Sequence, residues 1–155
     1  CSSDLGSCLM KTADFDESML DAVERVEKMC FSHPWTRQNI LDTQKNGHSI
    51  FLCALENGTV AGYISADAVL ETAYINNVAV DPLFRKRGAA LSLIAALEER
   101  AKEKGCLELT LEVRSGNIPA KKLYEKCGFV PVGVRRGYYS DPTDDAVIMT
   151  KRLQT

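Results

Sequence analysis

From Leu107 to Val113 leucine and valine alternate with Glu108, Thr110 and Glu112, and on either side of this run the apolar spacing lengthens from two to three or four. Period two belongs to a strand with one polar face, and the longer spacing to an amphipathic helix. Upstream, Ala90, Ile94, Leu97 and Ala101 share a helical face that Gly105 brings to an end. Downstream, Asn117 can cap a helix that runs through Tyr124 and Cys127 and stops at Gly128. A strand set between two helices points to a sheet covered by helices.

The remaining segments extend that pattern. After a short apolar piece from Ser7 to Lys11, the spacing of Met19, Val23, Val26 and Cys30 predicts an amphipathic helix in a segment that begins at Asp14. It stops near Ser32-His33-Pro34, and Thr36 caps a shorter second helix towards Lys45, ended by Asn46-Gly47. Ser49 to Leu55 and Val60 to Ala66 read as strands joined through Asn57-Gly58, a pair suited to the positive φ angles of a tight hairpin. Thr72 to Val80 is a third strand, and Phe129 to Val134 and Ala146 to Lys151 are the last two. The expected architecture is α/β: one domain over residues 1–155, with a mixed central sheet flanked by helices.

Composition removes several classes of function. Apolar residues make up 45% of the 155 residues and charged ones 26%, as in globular proteins, and no apolar run approaches the roughly 20 residues of a membrane-spanning helix. Lys and Arg number 19 against 21 Asp and Glu, so no overall field favours a nucleic acid partner. Cys1, Cys8, Cys30, Cys53, Cys106 and Cys127 are scattered without a CxxC pair, which reads as reduced thiols in the cytoplasm. Cys1-Ser2-Ser3-Asp4 has the form of a lipid-modified stub but follows no signal segment, so a truncated or alternative start is expected, with the first dozen residues partly disordered or non-native. Only His33 and His48 could serve a nucleophile triad, and Cys30 with His33 falls short of a zinc ligand set, so no metal is expected. The GxGxxG and GxxxxGK[ST] phosphate-binding signatures are missing.

What remains is Arg85-Lys86-Arg87-Gly88-Ala89-Ala90, between a strand and a helix start. Unpaired amides at a helix N-terminus suit a diphosphate, and Gly88, Ala89 and Ala90 keep side chains clear of it; a solvated basic turn reads equally well from spacing alone. Arg85-x-x-Gly88-x-Ala90 is similar to the Arg/Gln-x-x-Gly-x-Gly/Ala fingerprint of the GCN5-related N-acetyltransferases (GNAT). The resemblance continues through Asn77-Val78-Ala79-Val80-Asp81-Pro82, Leu111-Glu112-Val113-Arg114-x-x-Asn117 and Leu123-Tyr124-x-x-x-Gly128-Phe129, in the family's order, and covers the chain from Asp14 to Leu153.

The resemblance implies an enzyme that binds acetyl-CoA through Arg85 to Ala90, Asn117 and the backbone of Val78, Ala79 and Val80, without a metal. It implies Glu112 as general base and Tyr124 as general acid; read without it, Glu112 belongs to a solvated strand face and Tyr124 to a packed helix face. Glu27-x-x-x-Phe31-x-x-Pro34-Trp35-Thr36, Arg135-x-x-Tyr138-Tyr139 and Asp145-Ala146-x-Ile148-Met149 resemble the branch of the family that acetylates the N-terminal alanine of ribosomal protein S18. Phe31, Pro34, Trp35, Tyr138 and Tyr139 would then form the acceptor's entrance, or else serve only packing. Adjacent tyrosines on a regular strand face opposite ways, so only one of that pair is expected at a groove. Ala90 stands where that branch often has glycine and Gly137 where many members have asparagine, which leaves a small-molecule amine as a second acceptor class and a silent acyl-CoA-binding module as a third reading.

Overall fold

The computed structural model describes residues 10–154, so the expectations for Cys1, Cys8 and the start of the Ser7 to Lys11 piece lie outside the described residues. Seven strands form one sheet: β1 (Lys11–Asp14), β2 (Ser49–Glu56), β3 (Thr59–Val69), β4 (Thr72–Val80), β5 (Glu108–Arg114), β6 (Val130–Tyr139) and β7 (Asp144–Arg152), in the order β1-β2-β3-β4-β5-β7-β6. Every neighbouring pair is antiparallel except β4 and β5, so the sheet is mixed. Four helices flank it: α1 (Leu20–Cys30), α2 (Arg37–Lys45), α3 (Ala89–Glu103) and α4 (Ile118–Lys126).

The apolar runs of β2 and β3 are continuous because both faces of these strands are covered. Ile50, Leu52 and Ala54 pack with Leu93, Leu97 and Ala101 of α3, while Phe51 and Cys53 pack with Val23 and Val26 of α1 and Ile40 of α2. Helix α2 begins where expected: Thr36 Oγ1 accepts from Asn39 N at 3.1 Å and Asn39 Oδ1 accepts from Thr36 N at 3.2 Å. Asn117 likewise caps α4 by accepting from Ala120 N at 3.2 Å.

Several boundaries differ from the sequence expectation. Asp14 ends a strand rather than starting a helix, because residues 11–14 pair with β2 and Phe15 stacks on Phe51 with ring centroids 4.4 Å apart. The helical turns start at Asp16, whose carboxylate caps a short 3-10 turn (Glu17–Met19) leading into α1. Strand β3 runs on to Val69, and β6 and β7 run on to Tyr139 and from Asp144 as one long hairpin. Pairing with β7 carries β6 through Arg135 to Tyr139, where side-chain alternation gives no strand signal.

Gly62 is fixed by close approach. A Cβ there would lie 2.5 Å from the Ala79 carbonyl oxygen of β4, whereas one on Gly47 would meet nothing within 4 Å. Gly62→Ala is therefore expected to cost about 1–3 kcal/mol of overpacking, and Gly47→Ala less than about 0.5 kcal/mol, as measured by urea unfolding followed by circular dichroism.

Candidate active site

The parallel pairing of β4 with β5 covers only Thr72↔Glu108, Ala73↔Leu109 and Tyr74↔Thr110. On the other side of β4, Ser65 pairs with Asn77 but Ala66 with Ile75, so Asn76 is an extra residue and the strand bends. From there β4 and β5 diverge. The wedge between them holds a cavity of about 350 Å³ lined by Phe31, Asn76, Asn77, Val78, Glu112, Asn117, Tyr124 and Tyr139. Glu112 of β5 and Tyr124 of α4 thus meet at one cavity, together with Asn117 and Val78.

On one side a cavity of about 570 Å³ adjoins it, sharing Asn117 and Ala120, and lined also by Val80, Arg85, Lys86, Gly88, Ala89 and Ala90. Gly88 (φ 86°) occupies the N-cap position of α3 in the left-handed region without any side-chain cap, and Lys86 (φ 64°) is left-handed as well. The first amides of α3 lack intrahelical acceptors there, and two cations flank them. Arg87 is not among the lining residues; it pairs with Glu56 at 2.9 Å and lies over the Phe84 ring. Ala79 faces the other side of the sheet, buried in the cluster beneath α1 and α2.

On the opposite side a cavity of about 430 Å³ shares Asn76, Glu112 and Tyr139 and is lined also by Tyr74, Arg135 and Tyr138. Both tyrosines of the hairpin line it, contrary to the alternation of a regular strand. The register shifts between Arg135 and Tyr139, Gly137 is left-handed at φ 63°, and the two rings meet edge to face at 5.0 Å. Arg114 ties this hairpin down: its guanidinium donates to the Pro142 and Ser140 carbonyls at 2.7 and 3.1 Å and lies 4.4 Å over the Tyr139 ring.

Glu112 and Tyr124 both line the central cavity. One Glu112 oxygen, Oε2, is 3.0 Å from Arg135 Nε, and the residue is partly exposed at the outer cavity. Tyr124 packs edge-on against Phe129, and burial, with smaller contributions from Cys127 and Tyr139, pushes its hydroxyl up to about 12. The wedge therefore holds a carboxylate from β5 and a buried phenol from α4. Phe31 lines the same cavity, but Pro34 lines none of the three, and Trp35 packs instead against Tyr63 in the core beneath α1. Asn76, Asn77, Arg114 and Arg135 also line these cavities, and the sequence reading gave none of them a role: Asn77, Arg114 and Arg135 entered it only as motif residues and Asn76 not at all. The consecutive asparagines of β4 break its alternation, which is the signal of a bulge. Among the described residues no group of three or more His, Cys, Asp or Glu side chains is placed to hold a metal.

Comparison with known proteins agrees with this geometry. The family model for the acetyltransferase (GNAT) family matches residues 20–129. The chain belongs to this family. A Bacillus subtilis (strain 168) protein provisionally named ribosomal protein bS18-alanine N-acetyltransferase is 36% identical over 131 residues, covering 84% of this chain and 87% of its own. The ribosomal protein bS18-alanine N-acetyltransferase of Escherichia coli (strain K12) is 33% identical over 132 residues, covering 84% and 88%. The crystal structure of the Escherichia coli ribosomal-protein-S18-alanine N-acetyltransferase superposes with a TM-score of 0.85 at 28% identity over 95% of this chain and 96% of that one. The GNAT fold of the chain, a mixed seven-stranded sheet flanked by four helices, matches that structure.

The Arg114 tether gives a measurable consequence in this GNAT chain. Arg114→Lys keeps the charge but not the forked donors, and charge-assisted hydrogen bonds contribute about 1.5–3 kcal/mol. Hydrogen exchange of the amides between residues 136 and 145 is expected to speed up at least about tenfold, while β2 and β3 keep their protection.

Proposed function

We propose that the chain moves the acetyl group of acetyl-CoA to the α-amine of a protein N-terminus, with the N-terminal alanine of ribosomal protein S18 as its acceptor. The observation that carries this reading is the joint presence of Glu112 and Tyr124 in the lining of one cavity, between an amide-and-cation end and an aromatic end. The names of its relatives in Bacillus subtilis and Escherichia coli support the choice of acceptor. The whole chain acts as one acetyltransferase domain in this reading, in the cytoplasm, in keeping with four described cysteines that are all free.

The first-turn amides of α3, with Arg85 and Lys86, fit the diphosphate of the donor, and the small side chains of Ala89 and Ala90 leave the backbone approachable. Beyond Tyr74 the edge of β4 that faces β5 has no strand partner, so its backbone groups are free for the amide-bearing arm and the acetyl carbonyl. An N-terminal amine has an ordinary pKa of about 7.7–8.0, so much of it is protonated at neutral pH and cannot attack a thioester. Arg135 engages Oε2 of Glu112 and leaves Oε1 to accept the amine proton, directly or through water. The amine lone pair attacks the acetyl carbon, the Tyr124 hydroxyl protonates the thiolate as the carbon–sulfur bond breaks, and the second proton leaves the nitrogen to restore the phenol, directly or through water, while Glu112 gives its proton to solvent. No covalent enzyme intermediate is needed. A lysine side chain, about 2.5 units more basic than an α-amine, gives one carboxylate a harder task, which favours N-terminal acceptors.

Glu112→Gln and Tyr124→Phe are each expected to lower kcat by about two to four powers of ten with the affinity for acetyl-CoA unchanged, as read by thiol release and calorimetry. Because the folded-state pKa of Tyr124 is raised to about 12, its acid form persists through neutral and mildly alkaline pH and is lost only as pH rises through that value. The parent's kcat/KM is thus expected to rise with amine deprotonation up to about pH 8 and then hold level to pH 10; a fall in that window would remove Tyr124 as the acid.

Acceptor choice is tested by mass spectrometry on purified protein with acetyl-CoA. An S18-like peptide beginning with alanine is expected to be acetylated at its α-amine with far higher kcat/KM than spermidine, free lysine or an internal-lysine peptide. Turnover of spermidine with the peptide untouched would assign the chain to small-molecule amines, and no turnover of any amine would make it a binding module.

A further inference from the structure

Glu27 lies in α1 with 1% of its surface exposed, and among the described residues no lysine or arginine pairs with it. Burying a lone carboxylate costs several kcal/mol unless donors surround it. Three do: Trp35 N donates to Oε2 at 3.1 Å, Asn77 Nδ2 donates to Oε1 at 3.2 Å, and the Tyr63 hydroxyl donates to Oε1 as well. Ser65, on the same face of β3 as Tyr63, is also buried, with its hydroxyl unpaired, so polar groups without a cation are concentrated at this spot.

The donors belong to three different parts of the molecule. Tyr63 is a fully buried residue of a central strand and supplies a fixed anchor. Asn77 follows the bulge of β4 and lines the central cavity. Trp35 belongs to the loop between α1 and α2, whose Phe31 lines the same cavity. Among the described residues, the bond from Trp35 N to Glu27 is the one hydrogen bond made by residues 32–35. The carboxylate therefore joins two walls of the wedge, the 31–36 loop and the bent strand.

We infer that Glu27 is a positioning residue for acceptor binding, holding the 31–36 loop and the Asn76–Asn77 bulge at a fixed separation; this rests on the reading of that wall as the acceptor side. Only a group that accepts from both walls can do so. An amide in its place has one acceptor oxygen, which serves Trp35 N or Asn77 Nδ2 but not both. The donor cavity at α3 has no contact with the network and stays as it is.

The test compares Glu27→Gln with Tyr63→Phe, which removes a donor to the carboxylate and the second acceptor of Asn77 Nδ2, at 3.3 Å, while leaving the carboxylate's own bonds to Trp35 N and Asn77. Glu27→Gln is expected to raise KM for the alanine peptide by about ten- to a hundredfold, with kcat within about threefold of the parent and the affinity for acetyl-CoA unchanged. Tyr63→Phe is expected to lower Tm and leave that KM within about twofold. Trp35 is the only tryptophan of the chain, so acrylamide quenching of its fluorescence reads the loop directly and should increase in Glu27→Gln alone. Glu27→Asp, one methylene too short to reach both walls, is expected to show the same pattern and serves if the glutamine variant does not fold. Parental KM and quenching in the Glu27 variants would overturn the inference, as would equal rises in KM for Glu27 and Tyr63 variants of equal Tm. If the parent itself leaves the peptide unmodified, the acceptor reading fails and quenching alone decides the role of Glu27.

Discussion

The site depends on a failure of pairing. β4 and β5 share three residue pairs and then separate, although each is fully engaged on its outer side, β4 with β3 and β5 with β7 along its whole length. Outer pairing holds each strand straight enough to survive, and the bulge at Asn76 turns one away from the other. The inner edges are left with backbone donors and acceptors that no strand satisfies. Elsewhere an exposed edge of this kind is a liability; here it is enclosed by α4, the 31–36 loop and the β6–β7 hairpin, where a ligand can meet it.

The side chains of the wedge are supplied by elements that pack for other reasons. Tyr124 is on the inner face of α4 because Phe129 and the core beneath α3 take up that face. Its burial there also raises its hydroxyl above the ordinary tyrosine value. Glu112 has the polar phase of β5, whose apolar phase, Leu109, Leu111 and Val113, fills the core. Ordinary amphipathicity thus brings a carboxylate and a phenol to the same space.

Most of the architecture was legible because it follows from local periodicity and capping. Thr36, Asn117, Gly105 and Gly128 mark their boundaries by the hydrogen bonds or φ angles each type allows. Asp14 was misread because its strand state comes from pairing with a segment some forty residues away. In the site, Gly88 and Asn117 read from spacing as a helix start and a cap, Glu112 and Tyr124 took their roles only from the family resemblance, and Arg114, Arg135 and Asn76 were given none. Their roles arise from contacts across the wedge and from a register shift, and a single sequence carries no record of either. The tyrosine pair shows the same limit, since alternation holds only until a left-handed residue such as Gly137 interrupts it.

The three-pair junction also has a mechanical meaning. On one side of it lie β1 to β4 and on the other β5 to β7, each joined internally by antiparallel ladders of four to eight pairs. The sheet is two stiff leaves on a short seam. A load that pulls the leaves apart, whether from a ligand seated in the wedge or from thermal agitation, falls on the ladder with the fewest residue pairs in the described sheet. Widening the mouth of the wedge therefore leaves intact the longer ladders that carry Asn77 and Glu112.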